Sequence, residues 1–317
     1  MDKRITGIHH ITAIVGNAQE NVDYYASILG LRLMKKTVNF DDPDTYHLYF
    51  GNEQGDPGTI MTFFPWGNAY RGKIGDGQVG VTAFAVPDGA LEFWKLRLNK
   101  FGVTFTEHER FNENSVQFED PHGLRLELVE RSKGKNSSWE VGDISAANAI
   151  KGFAGALLFS ANAEKTGELL ESVMGLKKIG EEGNIVRFQS TADIGNIVDV
   201  MQERQGTGQI GVGTVHHIAW RAENDADQLD WKAKIENWRL GVTPVQDRNY
   251  FNSIYFREYG EILFEIATDP PGFAIDEPLE TMGEELKLPP QYEQFRKRLQ
   301  TELPPLQVRN LDEGNFQ

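Results

Sequence analysis

At 317 residues the chain has room for two ordinary domains, and its 39% hydrophobic and 25% charged residues are those of a globular protein. A formal charge of -15 argues against nucleic acid as a partner, because that binding is driven by Lys and Arg neutralising phosphates. There is no cysteine, which excludes disulfides, thiolate metal sites and a cysteine nucleophile; no apolar run approaches the ~18 residues of a membrane span, so a cytoplasmic protein without a membrane partner is expected.

Ile8 to Val15, apolar and β-branched, reads as a strand. An amphipathic helix follows from Ala18 to Leu29, with Val22, Tyr25 and Leu29 on one face and Gly30 as its stop. Three strand-like runs come next, Leu31 to Asn39, Thr45 to Gly51 and Gly58 to Phe64, completing a βαβββ pattern. Gly80 to Val86 begins the pattern again, with a helix at Gly89 to Phe101 and strands near Val103 to Thr106, Ser115 to Phe118 and Leu124 to Val129. A third unit runs from Phe153 to Met201 with its helix at Glu164 to Met174, and a fourth from Val215 to Ala267 with its helix at Asp225 to Trp238.

The expected fold class is therefore α+β, with four βαβββ modules pairing into two domains with cupped mixed sheets. The boundaries expected are a two-module domain at 1–130, a Ser-, Gly- and Lys-rich linker at 131–150, a second two-module domain at 151–270 and a tail at 271–317. The tail carries a helix from Gln291 to Leu303 and reads as a strut on the surface or at a dimer contact, which leaves a homo-oligomer open.

Four of the seven histidines lie in two pairs, His9-His10 and His216-His217, each opening a module. His10 stands seven residues before Asn17 and His217 seven before Asn224; the same count back from Asp88 and Asn162 reaches Val81 and Gly155, so only modules one and four offer a histidine there. In the last strands a lone carboxylate sits within apolar runs: Glu265 in module four, Glu127 in module two and Asp199 in module three, with Thr62 in module one. A buried ionised carboxylate is costly unless it is paired or binds a cation. Taken singly, each histidine reads best as a satisfied core residue and Glu265 as salt-bridged; their shared register makes joint ligation the better reading. Two imidazoles and one carboxylate form the facial triad suited to non-haem Fe(II). His47 reads as structural, while His108 and His122, beside turns, are expected to be exposed.

Ile8-His9-His10-Ile11-Thr12, Tyr24-Tyr25-Ala26-Ser27-Ile28-Leu29-Gly30-Leu31, the run from Thr37 to Gly51, His216-His217-Ile218-Ala219 and the run from Leu263 to Phe273 resemble the vicinal oxygen chelate superfamily. More narrowly they resemble its hydroquinone-type ring-cleaving dioxygenases, over nearly the whole chain. The resemblance implies an iron held by His10, His217 and Glu265, and a pocket that also uses His9, His216, Thr12, Arg248 and Tyr255. It implies a small aromatic diol and O₂ as substrates, with both oxygen atoms entering the product. Fe(II) is the expected cofactor, with Mn(II) as an alternative and Zn or Ni as occupants in a recombinant preparation. Thr12 agrees with strand geometry, since residues two apart share a face. His9 and His216 need a bulge, or a supporting role reached around the strand edge. Two other readings stand beside this one: a glyoxalase-like metal-dependent isomerase, for which a second carboxylate is lacking, and a non-catalytic binding or resistance protein of the same fold.

Overall fold

The computed structural model describes residues 3–312. Module one contains β1 (Ile8–Val15), α1 (Ala18–Val22), β2 (Arg32–Val38), β3 (Tyr46–Gly51) and β4 (Ile60–Pro65). Module two contains β5 (Gln78–Val86), α2 (Leu91–Lys100), β6 (Phe105–Arg110), β7 (Glu113–Glu119) and β8 (Arg125–Glu130). Module three contains β9 (Gly152–Phe159), α3 (Ala163–Glu168), β10 (Lys177–Glu182), β11 (Ile185–Gln189) and β12 (Ile197–Met201). Module four contains β13 (Thr214–Ala222), α4 (Asp225–Asn237), β14 (Gln246–Asp247), β15 (Phe251–Arg257) and β16 (Leu263–Pro271). Asn17, Asn162 and Asn224 cap α1, α3 and α4 by accepting a backbone N–H with the side-chain oxygen. The polar turns after the first strands are thus helix starts. In modules one and three the helix continues as a π-helix, Asp23–Ile28 and Leu169–Val173.

Two eight-stranded mixed sheets form, ordered β14-β15-β16-β13-β1-β4-β3-β2 and β10-β11-β12-β9-β5-β8-β7-β6. Modules one and four therefore share one sheet, and modules two and three the other. This corrects the expectation that consecutive modules pair within 1–130 and 151–270: each sheet draws on both halves of the chain. The joining edges are the first strands, β1 against β13 and β5 against β9, both antiparallel. The connections that carry the chain between sheets, around residues 70–77 and 206–212, bridge to each other at Arg71–Val212, Lys73–Gln209 and Asp76–Thr207. Pairing with each other supplies these exposed crossings with backbone hydrogen bonds that a lone connection would leave to water.

Both central seams carry the same irregularity. In the β1–β13 ladder Ile8 faces Trp220 and His10 faces Ala219, so His9 is an extra residue; Thr12 faces His217 and Ala13 faces Val215, so His216 is another. In the β5–β9 ladder the extra residues are Gly80 and Ala154. These β-bulges re-aim side chains that a regular strand would point to opposite faces.

The tail lies on the outer edge of the first sheet, where Lys36 bridges to Leu286 and Lys287 N–H reaches the Lys36 carbonyl. Buried Lys35 is the buckle, with Nζ 2.6 Å from both Asp276 and Glu277. The helical part is α5 (Arg296–Glu302), preceded by a 3-10 turn, Pro290–Phe295. Beyond it Arg309 pairs with Asp23 and Asp312 with Arg97, which ties the tail to both modules of the N-terminal half.

Candidate metal centre

Four parallel registers place equivalent residues at the floor of the two cups: Thr12 opposite Thr62, Ala83 opposite Glu127, Leu157 opposite Asp199 and Ala219 opposite Glu265. In the first cup, His10, His217 and Glu265 converge from β1, β13 and β16, their candidate donor atoms all within 4.8 Å of one another. His10 Nε2 and His217 Nε2 stand 3.3 Å apart, and Glu265 Oε2 lies 3.4 Å from the first and 2.8 Å from the second. All three residues are buried. Glu265 Oε1 accepts from the Ser253 hydroxyl, whereas Oε2 has no hydrogen-bond partner despite its close approach to both rings. Burial works to raise the Glu265 carboxyl, but His10 and His217 outweigh it and hold it well below the ordinary carboxylate range. Burial lowers His217, with Glu265 opposing. Two imidazoles and a buried carboxylate, one of whose oxygens makes no hydrogen bond, converge on one point, which fits a divalent cation.

The first histidine of each pair stands behind the second. His9 Nδ1 is 2.9 Å from His10 Nδ1, and His216 Nδ1 is 2.8 Å from His217 Nδ1. The bulges make this contact: each extra residue turns so that its ring meets its neighbour's far nitrogen, leaving both Nε2 atoms toward Glu265. Burial drives His9 well below its usual range, and takes His216 down to about 3. The two differ in access. His216 lines the cavity above the triad, while buried His9 lies behind His10, against Phe251 and the Thr268 carbonyl.

The cavity has a volume of about 250 Å³ and a largely aromatic wall, with Phe64 and Trp66 stacked at 5.6 Å. Arg248, from the turn before β15, donates from Nε to the Tyr255 hydroxyl at 3.2 Å, and both residues line the cavity. Burial and Glu265 push the Tyr255 phenol up, so it stays protonated. Thr12 is fully buried; its hydroxyl is 2.8 Å from that of Thr62, which meets His47 Nε2 at 2.8 Å, and His47 Nδ1 lies 2.8 Å from the Tyr49 hydroxyl. His47 thus combines the structural role expected of it with a place in the cavity wall. His108 is exposed as expected. His122 is not: it is buried, and its Nε2 accepts the Asn17 N–H at 3.0 Å, because the turn between β7 and β8 packs against the start of α1.

Ser253, Phe251, Trp66 and the Asn39–Asp42 segment were not singled out by sequence. Ser253 had a signal, since it lies two residues from Tyr255 on one strand and so shares its face. Phe251, four residues from Tyr255 on that strand, had the same signal; Trp66 and the Asn39–Asp42 segment lie in loops, which leave no periodicity. A more open groove of about 510 Å³ between the end of α2 and the β7–β8 turn contains none of the triad residues.

Residues 7–128 match the family described as the Glyoxalase/Bleomycin resistance protein/Dioxygenase superfamily. A Bacillus subtilis (strain 168) protein named "Putative ring-cleaving dioxygenase MhqO" is 62% identical over 312 residues, covering 98% of this chain and 100% of its own. The chain belongs to this superfamily. Its place is among the ring-cleaving dioxygenases. The chlorohydroquinone/hydroquinone 1,2-dioxygenase of Sphingobium indicum is 37% identical, covering 94% of this chain and 96% of its own. A solved Bacillus subtilis structure described as a "putative dioxygenase" superposes with a TM-score of 0.97 at 61% identity, covering 98% of this chain and 100% of its own. Glyoxalase I from Zea mays shares the fold alone, at a TM-score of 0.62 and 13% identity over 96% of this chain and 98% of its own.

Proposed function

We propose that this ring-cleaving dioxygenase is Fe(II)-dependent, holds its metal by His10, His217 and Glu265, and opens hydroquinone- or catechol-like aromatic diols. The observation that carries the reading is the convergence of a buried Glu265 oxygen and two imidazole nitrogens within 4.8 Å of one another at the floor of an aromatic cavity. His10, His217 and Glu265 would hold Fe(II), which when bound would supply the redox and Lewis-acid chemistry for the reaction of a diol with O₂. Mn(II) suits the same donors. The family name of the Sphingobium relative supports the substrate class.

The chain's own residues prepare that site. With the metal-binding electron pairs on Nε2, the Nδ1 atoms of His10 and His217 carry protons and donate to His9 and His216, which fixes the ligand tautomers. His9 donates a hydrogen bond to the Thr268 carbonyl, so its part is orientation. His216, open to the cavity, is placed to exchange a proton with a bound molecule. Arg248 offers a fixed cation to a phenolate oxygen, and protonated Tyr255 a hydrogen bond. Thr12, tied to Thr62, holds the strand beside His10. A single aromatic ring suits the volume and the ring-lined wall.

No helix among the described residues is long and apolar enough to cross a membrane, and we place the enzyme in the cytoplasm. The tail's attachment within the same chain supports its reading as a strut, with a homo-oligomer left to sedimentation. The deciding experiment is anaerobic reconstitution with Fe(II), followed by oxygen uptake with methylhydroquinone and catechol. Stoichiometric oxygen consumption is expected; no uptake with any aromatic diol despite full iron loading would sink the reading.

A further inference from the structure

The mouth of the cavity carries charges that the proposed chemistry does not use. Asp41 and Asp42, from the loop between β2 and β3, both line it. Arg248 is the cation of the wall, and its guanidinium is already shared: Nε donates to Tyr255 at 3.2 Å and a terminal nitrogen lies 3.2 Å from Asp41 Oδ2. The arginine side chain is 18% exposed and that of Asp41 76%, so the carboxylate reaches a fixed guanidinium from the solvent side.

A ligand entering here therefore meets two carboxylates and an arginine whose carboxylate-facing side is taken. For an uncharged diol this costs little, because a hydroxyl brings no charge for the carboxylates to repel and shares Arg248 without displacing Asp41. A diol carrying its own carboxylate faces like-charge repulsion and must displace Asp41 to gain the charged pairing that would hold it. We propose that Asp41, with Asp42 beside it, makes this cavity select uncharged aromatic diols over carboxylated ones by occupying the guanidinium that would receive the substrate carboxylate. This rests on the diol-cleaving reading, and its test separates the two.

Iron-loaded wild type, Asp41→Asn and the Asp41→Asn/Asp42→Asn double variant are compared by oxygen uptake with methylhydroquinone and 2,5-dihydroxybenzoate, which exchanges the methyl group for a carboxylate. Wild type is expected to favour methylhydroquinone in kcat/KM. Asp41→Asn should raise kcat/KM for the carboxylated ring by about tenfold, mainly through KM, and the double variant further. High salt should narrow the wild-type preference, since the selecting charge is exposed. Anaerobic calorimetry of 2,5-dihydroxybenzoate binding to the loaded enzymes should show the same ordering without turnover. An unchanged preference in Asp41→Asn, equal loss toward both rings, or a wild type that favours the carboxylated ring would each overturn the selection. Wild type that consumes no oxygen with either diol overturns the underlying reading instead.

Discussion

The two cups share sheet order, antiparallel seam and paired bulges, yet they meet the problem of a buried carboxylate in opposite ways. In the cup of modules two and three, Glu127 and Asp199 occupy the floor, and Arg110 lies 3.0 Å from the first and 3.2 Å from the second. Arg187 pairs bidentately with Asp199 at 2.7 and 2.8 Å and continues to Glu113. Guanidinium groups supply the positive charge. In the cup of modules one and four, Glu265 Oε2 faces imidazole nitrogens instead, 3.4 Å from His10 and 2.8 Å from His217. The bulges differ to match. A Cβ on Gly155, the counterpart of His217, would meet the Ile197 carbonyl at 2.2 Å, and one on Gly80, the counterpart of His9, would meet the Phe159 ring at 2.4 Å. The second cup is too tightly closed at these points for imidazoles, so the same architecture makes an ion-paired core on one side and a candidate metal centre on the other. One device is common to both: Ser115 donates to Glu127 at 2.5 Å as Ser253 donates to Glu265.

The comparison breaks first at His217. His217→Ala should abolish iron retention and take oxygen uptake down by more than the about 100-fold that follows loss of a ligand-orienting neighbour; unchanged iron by mass spectrometry would mean the centre is misassigned. In the other cup, Arg187→Met takes the bidentate partner from buried Asp199 and leaves it Arg110 alone, and should destabilise the fold by about 1–3 kcal/mol without altering iron stoichiometry. Urea unfolding and metal analysis of one preparation test both halves of that statement.

The serines sharpen the comparison because their hydrogen bonds are alike and their consequences should not be. Ser253→Ala is expected to weaken metal affinity about 10- to 100-fold, since Glu265 loses the bond that turns its other oxygen inward. Ser115→Ala should leave metal affinity unchanged and cost about 1–3 kcal/mol of stability. Equal metal affinity in the two variants would show that Ser253 does not orient Glu265.

The smallest effect concerns pH. Burial lowers the folded-state pKa values of His9, His47 and His216, so the unfolded chain takes up more protons than the folded one once pH falls below about 6.5. Metal-free protein should hold constant stability above that pH and lose it progressively below, as read by melting temperature. A flat profile from pH 7 to 5 would contradict neutral buried imidazoles.

The sequence by itself determined the local units. Alternation and helix periods made four βαβββ modules legible, and the count back from the polar turn separated His10 and His217 from Val81 and Gly155. Glu265 was legible because a carboxylate inside an apolar strand demands a partner. Boundaries suffered where burial gives no pattern: β6 extends to Arg110 as an almost wholly exposed strand, and two helices change to π geometry midway. Only the tertiary structure decided which modules pair, because every first strand offers a similar edge and the choice depends on long-range seams. It also decided where the first histidine of each pair points, since a bulge arises from a mismatch between two strands some 200 residues apart, at His9 on β1 and His216 on β13. The same holds for Asp41 and the guanidinium-filled second cup. Each depends on side chains brought together across a curved sheet, and strand periodicity carries no record of curvature.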